Sequence, residues 1–119
     1  MYKQNLGQKG EQMVENYLKK KGYKILERNY RKRTGEIDLI ALSPADDKEI
    51  VFIEVKTRRS ARYGTPEEAV DHRKLKKIEK TALHWLQENR KTNMHWRIDV
   101  LSLELGKEMK ITHLKNVTL

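Results

Sequence analysis

Residues 51–59 read Val51-Phe52-Ile53-Glu54-Val55-Lys56-Thr57-Arg58-Arg59. The run has the branched and aromatic content of a buried strand, yet Glu54 and Lys56 are set into it two residues apart. Side chains two apart on a strand share a face. Phe52, Glu54 and Lys56 therefore point one way, and Val51, Ile53 and Val55 point the other, toward a core. The preceding apolar run, from Glu36 to Leu42, puts Glu36 and Asp38 on one face and Ile37, Leu39 and Ala41 on the opposite one. The loop Ser43-Pro44-Ala45-Asp46-Asp47-Lys48 makes this strand a hairpin with the next, which spans Glu49 to Thr57. Such a hairpin can bring Asp38 beside Glu54, so that two carboxylates and one lysine converge on one side of a sheet.

Working outward, Gly7 to Lys21 reads as a first helix with Met13, Val14, Tyr17 and Leu18 at helical spacing, and Gly22 caps its end. Tyr23 to Tyr30 alternates as an edge strand, with Leu26 out of phase, and Arg31 to Gly35 forms a basic turn. Downstream, Thr65 as N-cap, Pro66 at the first helical position and Glu68 completing a capping box predict a helix start. That helix extends to about Asn89, with Val70, Leu75, Ile78, Ala82, Leu83 and Leu86 on its apolar side. Trp96 to Leu105 is a fourth strand and Lys110 to Leu119 a weaker fifth. The order α-β-β-β-α-β-β predicts an α/β fold, a mixed β-sheet flanked by helices.

A chain of 119 residues favours one domain with one modest core. Its hydrophobic fraction of 37% and charged fraction of 36% make it polar, but its apolar segments are too well patterned for a disordered chain. The absence of cysteine excludes a disulfide framework and a thiolate metal site, and fits a reducing compartment. The N-terminal residues lack an apolar signal core, and no apolar run approaches the length of a membrane span, so a cytoplasmic location is expected.

The net charge is +9, and it is unevenly placed. Residues 19–35 hold eight Lys/Arg against one acid, and residues 56–80 hold nine against four. Such concentration points to a polyanion, with nucleic acid the leading partner; a solvated basic face is the plainer alternative. Arg58, Arg59 and Arg62 follow the Glu54/Lys56 strand directly and are candidate phosphate contacts. Lys74 and Lys77, on the polar side of the second helix, are further candidates, against a solvated-face reading of the same charges.

Two carboxylates held close need a cation between them or a proton on one. An oxygen-rich set without cysteine favours a hard cation, Mg²⁺ or Mn²⁺, over zinc. Asp38, Glu54 and Lys56 together suit phosphodiester hydrolysis, with carboxylates on the metal and the lysine orienting water or meeting charge on the phosphate. The structural alternative is an ordinary salt bridge of Lys56 with Asp38 or Glu54. Against it stands the flanking apolar run, since a buried ion pair gives little net stability. Arg97 and Asp99 alternate on the fourth strand as a pair. His72, His84, His95 and His113 are too dispersed for a zinc motif, and no Walker A or dinucleotide fingerprint is present.

The segments Gly10-Glu11, Gly22-Tyr23, Leu26, Asn29-Tyr30-Arg31, Gly35-Glu36-Ile37-Asp38-Leu39-Ile40-Ala41, Val51 to Arg58 and Arg97-Ile98-Asp99-Val100 resemble the bacterial YraN family. That family is placed by similarity in the PD-(D/E)xK nuclease superfamily, near archaeal Holliday-junction resolvases. The resemblance covers roughly residues 6–103 and implies a restriction-endonuclease-like three-layer core. It implies Asp38 and Glu54 as metal ligands, with the Val55 carbonyl as a further oxygen, and Lys56 as the catalytic lysine. Glu11 matches the helix acid that reaches toward the metal; a plain helix-start acid explains it almost as well. Ile37 stands where the superfamily name has proline. The resulting expectation is a metal-dependent DNA endonuclease, for which a two-fold dimer would suit a four-way junction. The alternative from another class is a non-catalytic nucleic-acid-binding module on the same fold, or an RNA-associated protein without chemistry.

Overall fold

The computed structural model describes residues 6–44, 48–59 and 64–117. Helix α1 (Leu6–Lys20) is followed by strands β1 (Lys24–Lys32), β2 (Gly35–Leu42) and β3 (Ile50–Arg58). Helix α2 (His72–Glu88) then leads to β4 (Trp96–Leu105) and β5 (Met109–Leu114). The strands form one sheet in the order β1-β2-β3-β4-β5. All pairs are antiparallel except β3 and β4, which run parallel because α2 crosses between them. The predicted element order and mixed sheet are borne out.

The sheet is buried on both faces, as a three-layer α/β arrangement requires. Val14 and Leu18 of α1 pack with Leu39, Ala41, Val51, Ile53 and Leu101. Leu75, Ile78, Ala82, Trp85 and Leu86 of α2 pack on the other side with Ile37, Ile40, Phe52 and Ile98. This corrects the expectation of one core face on β3. Phe52 belongs to the α2 core, and the polar site begins only two residues later on the same face. Met13 and Leu83, expected on apolar helix sides, are exposed, and Trp85 takes the inward position on α2.

Helix α1 stops at Gly22, whose φ of +92° favours glycine. The Tyr23 N–H closes back onto the Leu18 carbonyl at 3.0 Å. Strand β1 continues through Lys32, so the basic turn is shorter than expected, with Arg33 and Thr34 between the strands. A register shift between Ile25 and Glu27 accounts for Leu26 being out of phase: it is the extra residue of a bulge. Residues 45–47 of the β2–β3 loop lie outside the described residues, but its neck is closed by Ser43 N–H to the Glu49 carbonyl, 2.9 Å.

The predicted helix start at Thr65 is also corrected. Thr65 Oγ1 does accept the Glu68 N–H, at 3.2 Å, but it caps only a turn over residues 66–69. The helix proper begins after Asp71, whose carboxylate accepts the N–H groups of Arg73 and Lys74. Asp71 is the stronger cap because it serves two otherwise unpaired helix donors with a charged acceptor. Strand β5 ends at Leu114, short of the expected Leu119; residues 118–119 lie outside the described residues.

Candidate functional site

Strands β2 and β3 pair from Leu42↔Ile50 to Leu39↔Ile53 and then separate. Beyond that point β3 keeps its partnership with β4, up to Arg58↔Glu104. Asp38 and Glu54 are the first residues past the parting. A backbone N–H left by a departing strand needs another acceptor. Here the Val55 N–H donates to Asp38 Oδ2 at 2.8 Å. The N–H and C=O of one extended residue point to the same side, so the Val55 carbonyl opens into the same fork.

The alternation of β1 and β2 breaks at the same place. Arg28 and Leu39, which are paired, face α1: Arg28 Nε donates to Glu15 Oε2 at 2.9 Å, and Leu39 joins the α1 core. Tyr30 and Ile37, also paired and two residues along, face α2. Between them lie Asn29, with φ +50°, and Asp38. A left-handed residue turns the chain over in one step. Beside it, Ile37 is on the opposite face from Leu39, contrary to strict alternation, and Asp38 is left in the gap between the two layers.

From the α1 side Glu11 approaches Asp38. Gly10 makes this possible, because a Cβ there would lie 2.0 Å from Thr57 Oγ1, so only glycine lets α1 come so close to β3. Glu11 and Asp38 border a cavity of about 170 Å³ with Glu15, Arg28 and Asn29. On the α2 side Asp38 and Glu54 border a larger cavity, about 340 Å³, with Glu36, Arg73, Lys74 and Lys77. Glu54 is 5% exposed. Its Oε1 lies 3.8 Å from Lys56 Nζ and in contact with Lys74 Nζ.

The electrostatics follow from this crowding. Burial pushes the Asp38 carboxyl up; the Val55 N–H opposes this, and the Glu54 charge adds to it. Burial also raises Glu11, helped by the charge of Asp38 and a hydrogen bond with it. Burial works against the Lys74 ammonium, but Glu54, with Asp38 and Glu36 behind it, holds it above the usual lysine range. Glu11 and Asp38 thus each disfavour charge on the other, an arrangement that a cation or a shared proton relieves.

The expected residues separate into two groups. Asp38, Glu54, Val55, Lys56 and Glu11 converge on the fork. Lys74 joins them by contacting Glu54, a role that its sequence position among other lysines did not indicate. Lys77 borders the larger cavity. Arg59 is exposed, and Arg62 lies outside the described residues. Arg58, expected at a phosphate, is turned inward: it donates to the Gly64 carbonyl at 3.0 Å and to Glu104 Oε1 at 3.1 Å. Glu104 is its direct neighbour in the β3–β4 register, a pairing that becomes visible only with the strand order.

Arg97 and Asp99 do pair, with Nε to Oδ1 at 3.0 Å. They belong to another network, in which Asp99 also meets His113 Nε2 at 2.7 Å and the Asn116 N–H at 2.9 Å. Arg97 reaches Tyr23 Oη at 3.0 Å. None of these residues lines the Asp38–Glu54 cavity.

The model of the uncharacterised protein family UPF0102 matches residues 10–103. The chain belongs to that family. A UPF0102 protein of Geobacter metallireducens is 45% identical over 117 residues, covering 98% of this chain and 93% of its own length. Those of Alkaliphilus metalliredigens and Syntrophomonas wolfei are 43% and 48% identical, each covering more than nine-tenths of both chains. UPF0102 is the YraN family of the sequence resemblance, which is thereby borne out. The matched segment of this UPF0102 chain opens at Gly10 and contains the whole fork. Among the described residues no helix is long and apolar enough to cross a membrane.

The donors at the fork that a hard divalent cation could use are oxygens: the Asp38 and Glu54 carboxylates and the Val55 carbonyl. Among the described residues no group of three His, Asp or Glu side chains is placed to hold a metal ion. Magnesium does not require one: it is commonly held by one or two carboxylates, with water and substrate phosphate completing its shell. Asp38, Glu54 and the Val55 carbonyl provide a set of that kind.

Proposed function

We propose that this UPF0102 protein is a metal-dependent nuclease that hydrolyses phosphodiester bonds in DNA. The observation that carries the reading is the fork itself. A sheet gives up its pairing at Asp38 and Glu54, places the Asp38 carboxylate on the freed Val55 N–H, and sets Lys56 3.8 Å from Glu54. A purely structural salt bridge would not need the strands to separate, and a buried acid cluster with raised Asp38 and Glu11 carboxyls costs stability that function explains.

Asp38, Glu54 and the Val55 carbonyl would hold Mg²⁺ or Mn²⁺, with Glu11 reaching Asp38 from the α1 side. When bound, the cation supplies Lewis acidity at a phosphate oxygen and acidifies a water. Lys56, partly exposed beside Glu54, is placed to orient the attacking water or to meet charge developing on the phosphate. Asp38 is fixed for its task by the Val55 N–H. The larger cavity, with Arg73 and Lys77 on its rim, admits the phosphate backbone, and exposed Arg59 extends the cationic path. Branched DNA is a candidate substrate, and a two-fold dimer would supply two symmetric cuts.

The test is incubation of labelled linear, flapped and four-way DNA with Mg²⁺, Mn²⁺ or chelator. Wild type is compared with Asp38→Ala, Glu54→Ala and Lys56→Ala proteins shown to be folded. Cleavage that needs metal and falls by at least about 100-fold in each variant supports the reading. Absence of cleavage with either metal, together with retained DNA binding, would favour the non-catalytic module.

A further inference from the structure

Glu54 is served by two lysines of different origin. Lys56 comes from its own strand and stands 3.8 Å from Oε1. Lys74 comes from the first turn of α2 and contacts the same oxygen. The Lys74 side chain is 48% exposed and that of Glu54 is 6% exposed, so the lysine spans from solvent to a buried carboxylate. Its position is set by Asp71, which caps the N–H groups of Arg73 and Lys74 and so starts the helix there. The stem borders the cavity that also contains Asp38, Arg73 and Lys77.

We propose that Lys74 is the resident counter-ion of Glu54, displaced whenever a divalent cation takes that carboxylate. The inference rests on the reading of Asp38 and Glu54 as cation ligands and adds a control on that site. An ammonium in contact with a carboxylate oxygen and a divalent ion on the same oxygen repel each other strongly at such range. One must leave, and the lysine has the flexible stem and the adjoining cavity to do so. Without the divalent ion, Lys74 keeps a buried carboxylate paired; with it, Lys74 is freed. The resident ammonium therefore lowers the affinity of the site for metal.

The test is a titration of Mn²⁺ into the full chain without nucleic acid, following heat and the spectrum of free ion. Wild type is compared with Lys74→Met, Lys74→Arg and Lys77→Met, each checked for folding by circular dichroism. Lys74→Met is expected to bind Mn²⁺ about tenfold more tightly than wild type. Lys74→Arg should stay close to wild type, because it keeps a cation. Lys77→Met removes the same charge from the same cavity rim without touching Glu54, and should change affinity by about twofold or less. Equal affinities in wild type and Lys74→Met would overturn the counter-ion role while leaving the cation site standing. An equal gain in Lys77→Met would also overturn it, since net charge alone would then explain the effect. No uptake by any of the proteins at millimolar Mn²⁺ would remove both the counter-ion role and the cation site.

Discussion

Asp38 is half-buried and Asp99 fully buried, and their surroundings drive the two acids in opposite directions. Asp38 sits among other acids, and burial raises its carboxyl above the ordinary value of 3.8. A raised carboxyl means that the folded chain binds a proton more readily than the unfolded one. Its charge therefore costs stability at neutral pH, and that cost is relieved as pH falls through the raised folded value toward 3.8. Asp38→Asn keeps an acceptor for the Val55 N–H while removing the charge. It is expected to gain on the order of 1 kcal/mol, about 4 °C in Tm, and to lose this relief on acidification, as read by thermal unfolding between pH 7 and pH 4. Asp99 is the reverse. Burial works to raise it, but His113, Arg97 and the Asn116 N–H together hold it below 3.8. Its contribution is present above the ordinary carboxylate value and is lost only as pH falls through the depressed one. Asp99→Ala would leave Arg97, with a side chain 13% exposed, without its main partner. The expected cost is about 3 kcal/mol or more in urea unfolding. The Arg97–Asp99 pair was legible because the two residues alternate on one strand. The His113 contact was not, since it comes from β5 and depends on strand order.

At the scale of elements, close approach matters more than propensity. Alanine is worth about 1 kcal/mol more than glycine inside a helix, so Gly10→Ala would stabilise an isolated α1. Against β3 it meets Thr57 Oγ1 at 2.0 Å, and overpacking of this kind costs about 1–3 kcal/mol. The expected result is net destabilisation in urea unfolding, most of it recovered in Gly10→Ala/Thr57→Ala. A simple gain on Gly10→Ala would show that α1 does not need this contact. The elements themselves were readable because their local signals agree: alternation over Glu36–Leu42 and Val51–Val55, an apolar helical stripe from Leu75 to Leu86, and a glycine at the end of α1. Where two local signals competed, the reading went to the wrong one. Thr65-Pro66-Glu67-Glu68 is a stronger cap in sequence than Asp71, yet only Asp71 lies where α2 meets the sheet. The face change at Asn29 and Asp38 had no sequence signature, because on β1 it goes with the left-handed backbone of Asn29 and on β2 with the parting from β3. The contact of Lys74 with Glu54 escaped for a related reason, since the partner is 20 residues away and on another layer.

For the whole molecule, the net charge of +9 predicts binding to a polyanion, and the structure narrows which cations remain available. Arg58 is paired to Glu104, Arg28 to Glu15 and Lys32 to Glu88. Arg59, Arg73, Lys77 and Lys80 are exposed. Four phosphate contacts at about 0.9 each give a slope of about −3.6 for the logarithm of DNA affinity against the logarithm of salt concentration. Fluorescence anisotropy across a salt series reads it directly, and a slope near zero would rule out a phosphate-led interface.

The attachment of α2 has a mechanical consequence. Its later turns are fastened to the β1–β2 hairpin: Trp85 Nε1 donates to Glu27, Tyr30 Oη donates to Glu88, Lys32 pairs with Glu88, and Thr81 meets Thr34 at 2.7 Å. Its first turn is held by the Asp71 cap and by the contact of Lys74 with Glu54. The helix is a beam clamped at its far end, with its near end over the fork. A load applied there, by an ion or a strand of phosphates, falls on the exposed residues 72–74, while the anchorage keeps the rest of the beam and the hairpin beneath it in place. Leu75 is already 1% exposed in the α2 core, so the beam is seated on the sheet from there onward and only residues 72–74 stand clear of it.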